Sequence, residues 1–235
     1  MPPGEGAEAR LSGRAKGSRT LRCEKDGHSG SPGHLVRSRH RALRAWREPR
    51  TLLLGLFVLT AAFSEGSAND WLAVGMRDGH RAGAGLASAT FTVFVAPITL
   101  GRWYGTHLVS RYGPVTALRS SGALAVTGLL LLNDGHSTAL AFASAAAWGL
   151  GTALGFPLGV SAAGRDPLHA AARVSVVSTL GYTAFLAGPP LLGLVGQHTG
   201  AQHALSVTAA VIAAGTIGSG VVSSHNSADM PEPNP

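Results

Sequence analysis

Six long apolar segments constrain this chain more than any other feature of its sequence. Each is close to the roughly 20 residues that a helix needs to cross a lipid bilayer. Short connectors rich in Gly, Pro, Asp, Asn and His separate them, as turns require. The polar content of the segments is mostly Ser and Thr, so they lack the charged faces of helices in soluble proteins. We therefore predict an all-α polytopic membrane protein whose six transmembrane helices cover approximately residues 51–74, 84–100, 115–132, 138–162, 174–195 and 204–222.

Charge is distributed very unevenly along the 235 residues. Of the 19 Lys and Arg, 12 lie in residues 1–50, and charged residues make up only 13% of the chain. In soluble globular proteins, charged residues make up about 25% of the chain. We therefore predict a disordered basic tail over residues 1–45, a membrane domain over residues 46–222 and a disordered C-terminal tail over residues 223–235.

The positive charges also predict an orientation. If the basic tail is cytoplasmic, the connectors after the second and fourth segments are cytoplasmic too, and they carry Arg102, Arg111, Arg165 and Arg173. The connectors after the third and fifth segments hold no Lys or Arg. The positive-inside rule therefore predicts a multi-pass protein of the plasma (inner) membrane with both termini in the cytoplasm.

The basic tail has three interpretations. Its end, HLVRSRHRALRAWREPR, suits an amphipathic helix on an anionic leaflet. Arg-rich segments also bind nucleic acid, but the membrane is the nearer polyanion for a tail tethered to six spans, so no nucleic-acid partner is predicted. The third interpretation is a determinant of topology. Cys23, His28, His34 and His40 have spacings that match no strong metal site, so no metal or cofactor is predicted.

Two carboxylates stand near the end of the first segment, in SEGSANDW. At 1.5 Å per residue, Glu65 lies about 21 Å from Thr51, in the outer part of the predicted span, and Asn69 follows one turn later on the same face. An intramembrane carboxylate is costly and usually functional. We predict that Glu65 contacts a solute or a coupling proton, with Asp70 as a further candidate. The alternative is an interfacial cap, with Asp70 and Trp71 at the water boundary.

The connector after the second segment carries a regular pattern, GRWYGTHLVSRYG. Gly101 and Gly105 would let two helices turn closely, while Arg102 and Arg111 would face cytoplasmic water. The pattern resembles the cytoplasmic-loop signature of the major facilitator superfamily (MFS), in its copy between helices eight and nine. The resemblance implies that these four residues form a cytoplasmic gate. Thr106 departs from the family pattern, which often has an acid after the second glycine.

Further segments carry the same resemblance. FSEGSANDW, GLGTALGFPLGVSAAG and GYTAFLAGPPLLGLVG look like helices seven, ten and eleven of sugar-permease-like members, those similar to the fucose permease group. WREPRTLLLG looks like the end of the central cytoplasmic loop that joins the two halves of such a transporter. The resemblance covers about residues 45–222 and implies an MFS half-bundle equal to the C-terminal six helices.

Small residues and prolines mark the fourth and fifth segments. Glycines that recur every four residues predict a flat face on which another helix packs closely. Prolines are predicted to break the backbone hydrogen-bond ladder of the helices locally. A dinucleotide-binding loop is excluded for GLGTALG, because both flanks are apolar and the expected acid is missing. The residues that carry the packing and interruption predictions are Gly151, Gly155, Gly159, Pro157, Pro189 and Pro190.

No enzyme is predicted, because Ser, His and acidic residues lack the grouping that a nucleophile needs. The resemblance implies secondary transport of a small polar solute, sugar-like or drug-like, by alternating access. Glu65 and Asn69 would be the polar contacts, and Phe156, Tyr182 and Phe185 would offer aromatic surface. One half cannot form a two-sided cavity, so the predicted partners are the lipid bilayer, the solute and an N-terminal half-transporter or a second copy of the chain. The alternatives are a non-transporting membrane anchor and an inactive fragment.

Overall fold

Six long helices make up most of the described protein, which in this computed structural model comprises residues 43–135 and 137–224. They are α1 (Pro49–Gly79), α2 (Ala84–Tyr112), α3 (Pro114–Asp134), α4 (Thr138–Ala163), α5 (Ala170–Thr199) and α6 (Ala201–Ser224). Each is long and apolar enough to cross a membrane. The predicted all-α architecture with six membrane spans is therefore confirmed.

Polar contacts define the two ends of the helix bundle. At one end, which we call the tail end, Arg173 at the start of α5 pairs with Glu48, the residue before α1. At the opposite end, the Nε2 atom of His80 lies 3.0 Å from the carbonyl oxygen of Leu132 at the end of α3. Gln202 at the start of α6 donates to the same carbonyl. Odd-numbered helices therefore begin at the tail end and even-numbered helices end there.

The helices extend beyond the predicted apolar segments. The predicted connector over residues 101–114 is wrong, because α2 continues through it to Tyr112 and only Gly113 separates α2 from α3. Gly113 has a φ of 81°, a backbone conformation that favours glycine. Hydropathy marks where side chains become polar, whereas the backbone hydrogen bonds of a helix continue past that point. Arg102 consequently lies inside a helix rather than in a loop.

The core forms where α1 and α4 meet the other helices, and α1 is the most buried of the six. Trp148 of α4 is fully buried and packs edge-on against Phe94 of α2, with ring centroids 4.9 Å apart. Its indole Nε1 donates to the hydroxyl of Ser64 in α1 at 2.9 Å. One tryptophan thus joins three helices by packing and by a buried hydrogen bond.

Glycines allow these helices to approach each other closely. A Cβ atom at Gly128 of α3 would lie 2.7 Å from the backbone oxygen of Ser144 and from the backbone nitrogen of Trp148. A Cβ at Gly151 would lie 2.6 Å from the backbone oxygen of Ser121 in α3, whereas one at Gly155 would lie 2.7 Å from Ala61 of α1. The glycines at four-residue spacing in α4 therefore contact two helices rather than one.

Two helices are irregular near their middles. A π-helical turn, Ala68–Leu72, interrupts α1, and α4 consists of Thr138–Thr152 and Gly155–Ala163 joined by a turn. Pro157 lies in the first turn of the second part, where no backbone N–H is needed.

Pro189 and Pro190 lie inside the continuous helix α5, so the predicted local break in the hydrogen-bond ladder does not end the helix there. Pro97 likewise lies inside α2. Neighbouring helices stabilise a membrane helix where it contains a proline, so the loss of one backbone hydrogen bond there does not end the helix.

Several predictions fall on parts of the chain that the structure does not describe. Residues 43–45 of the basic tail are helical and Ala45 is buried. Residues 1–42, with Cys23 and the three tail histidines, lie outside the described residues, as do residues 225–235.

Candidate functional site

A charged pair joins α1 to α2. Nη2 of Arg102 donates to Oε1 of Glu65 at 2.9 Å and to Oε2 at 3.2 Å. The side chain of Glu65 is only 17% exposed, while that of Arg102 is 44% exposed. Among the described residues, Nε and Nη1 of Arg102 have no hydrogen-bond acceptor. The pair therefore satisfies the buried carboxylate and leaves part of the guanidinium open on the surface of the bundle.

Both members of the pair lie well inside their helices. Glu65 is residue 17 of the 31 in α1, and Arg102 is residue 19 of the 29 in α2. Glu65 lies nearer the middle of α1 than of the predicted segment, because α1 continues five residues past the predicted end at Val74. The predicted loop position of Arg102 is wrong, since ten residues of helix, about 15 Å, separate it from Tyr112.

Buried neighbours fix the backbone on both sides of Glu65. Ser64 accepts the hydrogen bond of Trp148 from α4. Gly66 packs against Phe185 of α5, whose ring carbon Cδ1 would lie 3.2 Å from a Cβ at that glycine. Phe185, a predicted aromatic contact, thus packs beside the pair. The contact between Ser64 and Trp148 was not predicted from the sequence, because no local sequence pattern links residues 84 positions apart.

The other residues predicted to contact a solute do not lie together around the Glu65–Arg102 pair. Asn69 and Asp70 are both exposed and lie in the π-helical turn after Glu65. Trp71, which the interfacial-cap alternative places at the water boundary, is half-buried and packs over Gly193 of α5. Its indole nitrogen is buried and has no hydrogen-bond partner in the described part of the chain. Phe156, Tyr182 and Phe185 differ in burial: Tyr182 is exposed, whereas the two phenylalanines are partly buried in the packing between α1, α4 and α5.

The residues predicted to form a gate loop lie along α2. Gly101 packs against Ala153 and Gly105 against Leu154, at the turn that interrupts α4. Arg111 is exposed near the tail end, with its guanidinium carbon 5.6 Å from the ring centroid of Tyr112. The two glycines therefore serve close packing between α2 and α4.

A small cavity of about 30 Å³ lies beside the same interruption of α4. It is large enough for one water molecule. Residues with hydroxyl groups from four helices line it, namely Thr60, Ser64, Ser121, Thr152 and Thr216. The cavity provides polar surroundings inside the bundle, one turn from the charged pair.

A second charge network, not predicted from the sequence, holds the tail end. Arg173 donates through Nε and Nη2 to both carboxylate oxygens of Glu48, at 2.9 and 2.6 Å. Its Nη1 donates to Asp166 at 3.3 Å, and His169 Nδ1 donates to the same carboxylate at 2.8 Å. Thr51 also donates to Glu48. The network ties the start of α1 to the connector between α4 and α5.

The network shifts both of its carboxylates toward the charged form. Burial raises the pKa of Glu48, but hydrogen bonds from Arg173 and Thr51, with the charges of Arg173 and Arg50, lower that pKa by more. The hydrogen bond from His169 is the main reason why the pKa of Asp166 also lies below its ordinary value. Both groups are therefore ionised over the physiological pH range.

Comparison with known proteins identifies relatives of this architecture. No protein-family profile matches the chain. An uncharacterized transporter of Sinorhizobium fredii, y4wD, is 33% identical over 146 residues, which are 62% of this chain and 39% of that protein. An uncharacterized MFS-type transporter of Yersinia pestis is 25% identical over 72% of this chain and 43% of its own length.

A solved structure shares the fold. The E. coli fucose:proton symporter FucP (N162A) matches with a TM-score of 0.68 and 17% identity, over 85% of this chain and 47% of that protein. The chain spans about two fifths of the length of the curated relatives it matches. These relatives are transporters rather than enzymes. The chain is thus a multi-pass membrane protein related to transporters of the major facilitator superfamily, and its six helices have the fold of part of such a transporter.

Proposed function

We propose that the chain acts as the C-terminal half of a secondary transporter and that the Glu65–Arg102 pair lines its solute path. The observation that carries this proposal is a charged pair near mid-helix whose arginine is 44% exposed on the bundle surface. An arginine facing lipid at the bilayer centre costs about 2.5–3.5 kcal/mol on insertion scales. A water-filled path between two half-bundles removes that cost.

The chemistry of the pair suits a small polar solute. Arg102 keeps donors that no described residue uses, and the carboxylate of Glu65 accepts hydrogen bonds. A solute with several hydroxyl groups can bind to both members at once. Protonation of Glu65 would remove the charge that holds Arg102, so the pair also provides a route for coupling solute movement to a proton.

The missing part of the path comes from a second half-bundle. The relatives are more than twice as long as the matched region, so an N-terminal half-transporter is the partner we propose, with a second copy of the chain as the alternative. The tail end faces the cytoplasm of the inner membrane in this proposal, since the basic tail precedes α1.

Closure at the tail end involves the Glu48–Arg173–Asp166 network rather than Arg102. That network already joins α1 to α5 and to the preceding connector. Arg102 instead belongs to the solute path, ten residues of helix away from the tail end.

Transport assays with matched variants test the proposal. The chain is reconstituted in vesicles together with the N-terminal half of the Sinorhizobium fredii relative, and separately alone to test a second copy as the partner. Both preparations are assayed for saturable uptake of L-fucose, D-xylose and tetracycline, which represent sugar-like and drug-like solutes. We expect uptake of at least one solute, lost in Arg102→Gln and retained in Arg119→Gln, an exposed arginine of α3 outside the pair. Uptake equal to that of protein-free vesicles for all three solutes would contradict the proposal.

A further inference from the structure

A groove opens between α2 and α3 near the tail end. The two helices are joined by one residue and each packs extensively on α4, yet they touch each other little. The groove between them has a volume of about 320 Å³, within the range of small-molecule sites, roughly 300–1,000 Å³. Its apolar floor and walls include Leu108 of α2, Leu124 of α3, and Leu150 and Leu154 of α4.

The groove lies on the outside of the bundle. Tyr104, which lines it, is 72% exposed, and the adjacent Trp103 is 77% exposed. Leu124 is partly exposed as well. An apolar groove on the outside of the bundle suits an acyl chain, because walls from two helices and a floor from a third contact a chain on three sides.

The mouth of the groove is cationic. His107 lines the groove, and Arg111 follows one turn later on the same face of α2, at the tail end. The guanidinium of Arg111 lies over the ring of Tyr112, and no acidic group among the described residues forms an ion pair with Arg111. The sequence between Asp78 and Asp134 contains no acidic residue at all. The rim therefore carries a positive charge that α2 and α3 cannot neutralise.

We propose that this groove binds an anionic phospholipid of the tail-end leaflet. One acyl chain lies between α2 and α3 on Leu150 and Leu154, and the phosphate contacts Arg111, with His107 beside it. Basic pockets between membrane helices bind anionic headgroups in this way. The site is separate from the Glu65–Arg102 pair, because neither residue lines the groove, and the groove-lining Tyr104 and Leu108 lie about 120–160° around α2 from Arg102. The inference needs only the membrane location and does not depend on any solute.

Lipid retention measures this binding directly. The full chain is purified from vesicles that contain equal amounts of phosphatidylglycerol and phosphatidylcholine, and retained lipid is quantified by native mass spectrometry. We expect phosphatidylglycerol to be retained preferentially. Arg111→Gln should reduce its retention about fivefold, as expected for loss of one arginine near an anionic surface. Arg119→Gln, a matched change on α3, should leave retention unchanged.

A second pair of variants tests the acyl-chain site. Leu124→Trp fills the groove and should reduce retention of both lipids, whereas Leu130→Trp, an exposed leucine of α3 outside the groove, should not. Size-exclusion profiles confirm that each variant is folded, and the Arg111 result stands if Leu124→Trp fails this check. Equal retention of both lipids by the unmodified chain would overturn the proposal. Equal losses in the two arginine variants, or a second copy of the chain cross-linked across the groove, would overturn it as well.

Discussion

The Glu65–Arg102 pair is the residue-scale feature on which the functional account depends. Each charge would be costly in a bilayer alone, and each offsets the cost of the other. Its hydrogen bonds of 2.9 and 3.2 Å place a guanidinium and a carboxylate of complementary charge on neighbouring helices. Because Arg102 remains partly exposed, the pair both holds α1 to α2 and presents donors on the surface of the bundle.

A double-mutant cycle tests this coupling. Glu65→Gln and Arg102→Gln should each lower the free energy of unfolding, because each leaves its former partner uncompensated. The double variant should lose less than the sum of the single changes, with an interaction energy of about 1–3 kcal/mol. Equilibrium unfolding of purified protein in mixed detergent micelles measures these values. Additive changes, within about 0.5 kcal/mol, would show that the pair contributes no coupling.

At the scale of helices, close contacts between backbones position the site. Gly128 and Gly151 let α3 and α4 approach until no side-chain atom fits between them. That approach buries Trp148, whose hydrogen bond to Ser64 holds α1 one residue before Glu65. The geometry of the pair thus depends on contacts made by helices that do not carry it.

The glycine contact between α3 and α4 gives a second prediction. Gly128→Ala forces a Cβ to within 2.7 Å of two backbone atoms of α4, so overpacking should cost about 1–3 kcal/mol of unfolding free energy. Gly85→Ala in α2 is the matched control, because nothing lies within 4 Å of its Cβ position. It should be neutral or stabilising by up to about 1 kcal/mol. Equal effects of the two substitutions in the same micelle assay would contradict the close contact.

The tail-end network between α1 and α5 predicts a dependence on pH. The pKa of Glu48 in the folded chain lies below its ordinary value of 4.5. Its stabilisation is therefore fully present above about pH 4.5 and is lost as the pH falls through the lowered pKa.

Thermal unfolding in detergent between pH 7 and pH 3 measures this loss. The unmodified chain should lose stability on acidification more steeply than Glu48→Gln, which lacks the titrating group. Parallel curves for the two proteins would show that the Glu48–Arg173 contact contributes no pH-dependent stability.

At the scale of the whole molecule, the sequence predicted what depends on local hydropathy and little of what depends on packing. The six apolar segments correspond to the six helices, because each segment alone determines whether it can span a bilayer. The helix ends were missed at Tyr112, where polar residues continue a helix. Arg102 was placed in a loop for the same reason, and its pairing with Glu65 arises only when α1 and α2 pack. The contact between Glu48 and Arg173 joins residues 125 positions apart, which no local pattern encodes.

The most direct test of the proposed solute path is whether water reaches the face of α2 that carries Arg102. In a Cys23→Ser background, Thr99→Cys and Leu100→Cys place thiols at neighbouring positions and nearly equal depth on α2. Both native residues are exposed, and Thr99 lies on the Arg102 face whereas Leu100 lies on another. The reagent is a charged, membrane-impermeant thiosulfonate applied to native membranes. Our account predicts rapid labelling of Thr99→Cys and little labelling of Leu100→Cys. Equal labelling of the two, or no labelling of either, would contradict a water-filled path beside the Glu65–Arg102 pair.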